Sequence, residues 1–224
     1  DSAFFTLVGK RVMLAAIAAL CCLLVALLLG YGKRLQPGAL ETGAVRVAAM
    51  GYAVPGTVIA VGVLIPFAWL DNRIDAWMRH QFDMSTGLLL SGTLAALVFA
   101  YVVRFLSVSL QSVEAGLARI RPSIDESARA LGSPPLQVLR RIHLPMLRAS
   151  LLTALLLVFV DVLKELPATL ILRPFNFNTL AVRTYELASD ERLADAALPA
   201  LAIVLIGLLP VLLITRSMHR EPPQ

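Results

Sequence analysis

A chain of 224 residues that is 58% hydrophobic and only 16% charged is neither disordered nor an ordinary soluble domain, in which about 45–50% apolar and about 25% charged residues are usual. A net charge of +5 would raise nucleic acid as the partner of a soluble protein; here it reads as membrane orientation, and no nucleic-acid partner is expected. The apolar residues gather into runs near the roughly 20 residues that cross a bilayer core, and no alternating barrel pattern is present. The expectation is an all-α, polytopic membrane helix bundle of about five spans, one transmembrane domain over residues 1–224.

The first span, 12–30, carries no charge. Its adjacent Cys21 and Cys22 offer neither a disulfide framework nor a cysteine metal site. The second span, 50–70, is interrupted at Pro55 and Gly56, which read either as a hinge or as small-residue packing. Asp71–Asp83 reads as an outer loop holding His80, with Trp69 and Trp77 at the interfacial belt. A third span, 86–106, leads into a long cytoplasmic loop, 107–145. Spans 146–172 and 196–216 follow, separated by an outer segment, Arg173–Asp190, and ending in a tail with His219. With 107–145 in the cytoplasm, twelve of the 20 basic residues fall on that side: Lys33, Arg34, Arg46, Arg104, Arg119, Arg121, Arg129, Arg140, Arg141, Arg148, Arg216 and Arg220. The bias has the expected sign. It puts the N-terminus outside with Lys10 and Arg11, so an upstream segment and a longer polypeptide are expected.

The stretch ESARALGSPPLQVLRRIHLP from Glu126 to Pro145 is polar, helix-forming and ringed by Arg121, Arg129, Arg140, Arg141 and Arg148. Ser123 is placed to N-cap a helix, with Glu126 completing a capping box. Gly132 is placed to end it in a left-handed conformation, Ser133 to cap a second helix and Pro134 to fill its first turn. Leu136, Leu139 and His143 share one face of that second helix. The product is helix, turn, helix and direct re-entry into a span. On local residues alone this is either a docking element for a soluble partner or a capped cytoplasmic loop.

Asp161, Lys164 and Glu165 lie well inside an apolar run, where ionisable groups are costly and face a bundle interior or a watery cavity. Lys164 at i+3 can pair with Asp161, and Glu165 shares their face. Pro167 removes a backbone hydrogen bond and bends the helix. The group reads as the lining of a translocation path or its outer gate, or else as a structural ion pair.

The spacing of Glu126, Ala128, Gly132, Ile142, Leu144 and Pro145 resembles the EAA loop of binding-protein-dependent ABC importer permeases, with Ser127 in place of the middle alanine. GYAVPGTVIAVGVL from Gly51, AYVVRFL from Ala100, VDVLKELPATLILRPFNFNTLA from Val160 and DAALPALAIVLIGLLPVLL from Asp195 resemble permeases of ferric-iron importers, in particular their second permease unit. The resemblance implies that Glu126, Ser127, Ala128, Gly132, Ile142, His143, Leu144 and Pro145 couple the chain to a separate ATPase, with His143 on the docking surface. It further implies a second permease unit, an external solute-binding protein met by Arg173–Asp190 (the alternative being a plain amphipathic loop helix), surrounding lipid, and the bacterial inner membrane. Ferric iron is the implied cargo; thiamine, polyamine and phosphonate permeases share the architecture.

No GxxxxGK[ST] phosphate loop occurs, so ATP and Mg are expected on a partner chain and no cofactor or metal on this one. A gradient-driven secondary transporter would use Asp161 and Glu165 for ion coupling and would show inverted repeats. An intramembrane enzyme would need a nucleophile–base pair or metal ligands within its spans, and neither is evident.

Overall fold

The computed structural model describes residues 2–175 and 177–218; His219 and Arg220 lie outside them. Among the described residues every regular element is helical. In chain order these are α1 (Ser2–Leu35), α2 (Ala39–Ala49), a single 3-10 turn (Gly51–Ala53), α3 (Gly56–Phe82), α4 (Leu94–Ala118), α5 (Pro122–Ala130) and α6 (Pro135–Val138). A π turn (Leu139–His143) then leads into α7 (Leu144–Lys164), followed by α8 (Pro167–Leu172), α9 (Leu180–Ser189) and α10 (Leu193–Met218). Among the described residues four stretches are long and apolar enough to cross a membrane: Arg11–Leu35, Gly56–Phe82, Leu94–Ala118 and Pro135–Lys164. The apolar Leu193–Leu209 of α10 is the candidate for a fifth.

The centre of the bundle is α1, α4 and α7, each packed on the other two. The packing follows from how α1 sorts its side chains. Ala15, Ala18, Ala19, Cys22 and Ala26 recur at helical spacing and are buried, whereas Met13, Ile17, Leu20, Leu24 and Leu28 form the opposite, exposed stripe. Small residues let helices approach where hydrocarbon offers no hydrophobic drive between them, and large ones face outward. Two buried clusters result. One joins α1, α3, α4, α7 and α8 around Leu97, Tyr101 and Val158. The other surrounds Leu110, Val113 and Leu147, where α1, α2, α4 and α7 approach the polar insert.

The observed elements differ from the sequence expectation in three places. Asp71–Asp83 is not a loop: α3 runs through it to Phe82, and Asp83 closes it in a left-handed conformation, φ 53. The helix tolerates Asp71 and Asp75 because both carboxylates accept N–H groups from the following segment. Asp71, 1% exposed, accepts hydrogen bonds from the backbone N–H groups of Leu89, Leu90 and Ser91 at 3.1, 2.9 and 2.8 Å. Asp75 pairs with Arg79 at 2.7 Å and accepts from the Thr86 N–H at 2.8 Å. Second, the helix assigned to 86–106 begins only at Leu94, capped by the Thr93 hydroxyl, and runs on to Ala118. Its polar extension is held by α1, with Lys33 Nζ 2.7 Å from Glu114 Oε1.

Third, the span assigned to 146–172 is broken rather than bent. α7 stops at Lys164, Glu165 is extended (φ −68, ψ 120), and α8 restarts with Pro167 in its first turn. Proline has no N–H to continue the ladder and suits a helix's first position.

Candidate functional site

The polar insert is built around Gly132. Its φ of +74 is open to glycine without a steric penalty, and it ends α5. The Gly132 N–H donates to the Arg129 carbonyl at 2.9 Å and the Ser133 N–H to the Ala128 carbonyl at 3.0 Å, which is a Schellman closure. The capping expected at the two helix starts is absent. Arg121 is the N-cap of α5 and Pro134 that of α6, neither with a side-chain hydrogen bond, and Pro122 and Pro135 fill the first positions. Proline there leaves one donor fewer to satisfy, so Ser123 and Ser133 are not needed as caps. The Ser127 hydroxyl donates back to the Ser123 carbonyl at 2.8 Å.

Around this turn Ala128 packs inward while Glu126, Ser127, Gly132 and Pro145 are exposed; Ile142 and Leu144 are half-buried. Leu131 and Leu136 stand in solvent at 85% and 74% exposure, with Arg121, Arg129, Arg140, Arg141 and Arg148 also exposed. The insert therefore exposes both apolar side chains and arginines. His143 does not belong to that exposed surface. The π turn spreads Val138 and His143 five residues apart on the inward face, and His143 is fully buried. Its ring meets Tyr31 edge-on at 5.4 Å between centroids, and its Nε2 lies 2.9 Å from Asp125 Oδ1.

The span charges divide into two pairs. Lys164 Nζ is 2.7 Å from Asp161 Oδ1, with the lysine side chain 61% exposed and the aspartate 14%. Glu165 turns away from them and is 7% exposed. Its Oε2 lies 3.2 Å from Arg104 Nε, and its Oε1 accepts the Ala168 N–H at 3.1 Å, at the first turn of α8. Arg104 also donates to the Val54 carbonyl at 2.8 Å, in the break before α3. Pro55 is the N-cap of α3 and Gly56 its first residue. A side chain on Gly51 would stand 2.0 Å from the Val103 carbonyl oxygen, so glycine is required there by close approach, and one on Gly56 would stand 2.6 Å from Glu165 Oε1 and displace that carboxylate. The structure thus gathers Pro55, Gly56 and Glu165 around one arginine, with Pro167 opening α8 two residues on, and leaves Asp161 and Lys164 apart.

Arg104 is the residue that sequence reasoning misplaced. Counted among cytoplasmic bases, it is mid-helix in α4 with its side chain 19% exposed. A lone arginine between Val103 and Phe105 was the available signal. Asp125 and Arg34 were missed as a pair, because nothing local joins them. Among the described residues no cluster of three or more His, Cys, Asp or Glu could hold a metal.

Residues 22–220 match the family described as binding-protein-dependent transport system inner membrane component. The chain is 28% identical over 165 residues to the Fe(3+)-transport system permease protein FbpB 2 of Haemophilus influenzae, covering 74% of this chain and 29% of that one. It is 29% identical over 168 residues to a Salmonella typhimurium protein named for 2-aminoethylphosphonate transport, the permease protein PhnV, covering 75% and 57%. It therefore spans less than two thirds of the length of either relative. Among solved structures, a bacterial ABC transporter that imports alginate superposes with a TM-score of 0.76 at 14% identity, over 100% of this chain and 81% of that one. The inward-facing MetNI methionine ABC transporter superposes with a TM-score of 0.61 at 16% identity, over 96% and 98%. With the family matched over nearly the whole chain and the fold shared with ABC importer permeases, the chain belongs to the binding-protein-dependent inner-membrane permease family, whose members are transport subunits rather than enzymes.

Proposed function

We propose that this chain forms part of a substrate path through the inner membrane and couples it to a separate ATPase through the element from Arg121 to Pro145. The observation that carries the reading is the pairing of a rigid turn with an unpartnered tip. A Schellman closure at Gly132 presents Leu131, and Leu136 follows it, both solvent-exposed on an insert that also exposes Arg121, Arg129, Arg140 and Arg141. Large apolar side chains exposed together on a polar element mark an interaction surface. The continuous helical connection from Pro135 to Lys164 carries any motion of that surface into α7. ATP and Mg belong to the partner ATPase in this reading, and a second permease unit and an external solute-binding protein complete the importer.

The cargo we infer is ferric iron, supported by the similarity to FbpB 2 and by the apolar runs shared with ferric permeases. A second reading, a phosphonate, is favoured by one observation. Both acids at the break after α7 are already paired with cations, Asp161 with Lys164 and Glu165 with Arg104, so neither is left uncompensated for a metal ion. Uptake of labelled ferric iron and of labelled 2-aminoethylphosphonate by the full importer separates the two.

The coupling role is tested by placing Glu at Leu131 and Leu136 together. Both side chains are solvent-exposed in this chain, so folding is expected to survive. The expected result is loss of the ATPase from the purified complex, with the permease still in the membrane. Retention of the ATPase at the parental level overturns the docking assignment.

A further inference from the structure

One carboxylate ties α1 to the insert. Arg34, near the end of α1, donates from Nε to Asp125 Oδ2 at 2.9 Å, and its Nη2 lies 2.7 Å from the same oxygen. The rest of its guanidinium closes the end of α4: Nη1 donates to the Leu117 carbonyl at 2.6 Å and Nη2 to the Ile120 carbonyl at 2.9 Å. The Leu117 carbonyl lies in the last turn of α4 and also accepts the Ile120 N–H at 3.1 Å, and Ile120 follows the helix's C-cap, so Arg34 fastens the point where α4 ends. The other oxygen of Asp125 faces His143 Nε2 at 2.9 Å. Tyr31, one turn before Arg34, donates from its hydroxyl to the Pro135 carbonyl at 2.9 Å. Asp125 thus joins α1, through Arg34, to the π turn, through His143, and it immediately precedes Glu126 of the docking surface. Arg34 and Asp125 are only 16% and 17% exposed, so water screens their attraction little.

The imidazole adds a second observation. His143 is fully enclosed, its Nδ1 has no hydrogen-bond partner among the described residues, and Nε2 approaches Asp125 off the line of a good hydrogen bond. Its approach to Asp125 and its edge contact with Tyr31 tie the π turn to both α5 and α1.

We propose that Asp125 is a positioning residue for transport: through Arg34 and His143 it makes α1 and the docking element move as one body. The proposal rests on the coupling reading above. It adds that the ATPase drives two central helices, α7 by covalent continuity and α1 through this carboxylate.

The test uses the assembled importer in proteoliposomes, with Cys21 and Cys22 replaced by Ala. Spin labels at the exposed positions Gln36 and Ser123 report the separation of α1 from α5. The expected result is one separation, unchanged between ATP-free and ATP-trapped transporter. The Asp125→Asn variant is then expected to keep its ATPase and hydrolyse ATP, with transport per ATP lowered about tenfold, within the range of measured coupling contributions. A separation that changes with ATP in the parent overturns the proposal, and so does parental transport per ATP in the Asn variant. Should the Asn variant fail to assemble, the parental separation alone decides. Retention of the ATPase by the Leu131 and Leu136 double variant is a different result, which overturns the docking reading itself.

Discussion

Arg104 and Glu165 form the most consequential charged pair in the bundle because both partners are enclosed and both touch a broken helix. Removing one partner of such a pair strands the other in low dielectric and costs about 3–5 kcal/mol. The Lys164–Asp161 pair has the same chemistry but a lysine in the open, where a pair contributes about 1 kcal/mol or less. Glu165→Gln is therefore expected to lower the melting temperature of the purified complex sharply, and Arg104→Met with Glu165→Gln together to recover part of the loss. Lys164→Met should melt as the parent does. Equal melting of the Glu165 and Lys164 variants contradicts this ranking. The contrast also marks what residue-level reading reached. Asp161 and Lys164 were legible because a helix brings i and i+3 together without help from the fold. Gly132 was legible because a left-handed turn restricts the choice of residue. Arg104–Glu165 and Arg34–Asp125 were not, since each joins segments that only tertiary packing brings together. His143 was placed on the wrong face because a π turn shifts the register that a 3.6-residue period assumes.

At the scale of elements, helix ends depart most from the sequence pattern. α3 continues through residues that read as an outer loop, because Asp71 reaches across to three consecutive N–H groups and holds the 84–93 connection against the helix. Asp71→Ala leaves those donors without an acceptor in a half-buried connection, with an expected loss of at least about 2 kcal/mol. Thermal melting, together with trypsin cleavage after Arg79, checks this. Faster cleavage and a lower melting point are expected, and parental behaviour on both counts contradicts the role. Hydropathy marks where apolar runs lie, so the long helices were legible. It carries no information on whether a charge such as Asp71 has found a buried partner, and so the helix was ended too early. Pro167 announced a disturbance, but a bend and a break differ by whether the freed groups find partners. Glu165 supplies one by accepting the Ala168 N–H.

For the whole molecule, one end of the bundle collects the last turns of α1 and α4 and the insert, with Arg34, Arg119, Arg121, Arg129, Arg140, Arg141 and Arg148. The other holds the α3–α4 connection and the segment after α8, where Arg11 lies over the Phe177 ring at 5.7 Å. By the rule for basic residues, that asymmetry supports the proposal that the insert faces the cytoplasm. It leaves the outward stripes of α1, α3 and α10 for lipid or a second permease unit. The most direct test of the account is a photoreactive residue placed in membranes either at Leu136 or at Leu88, both solvent-exposed and at opposite ends. With adducts identified by mass spectrometry, Leu136 is predicted to capture an ABC ATPase in a manner that changes with ATP, and Leu88 to capture none. No ATPase adduct at Leu136, or equal capture at both positions, would contradict the assignment of this chain's insert as the element that receives the force of ATP hydrolysis.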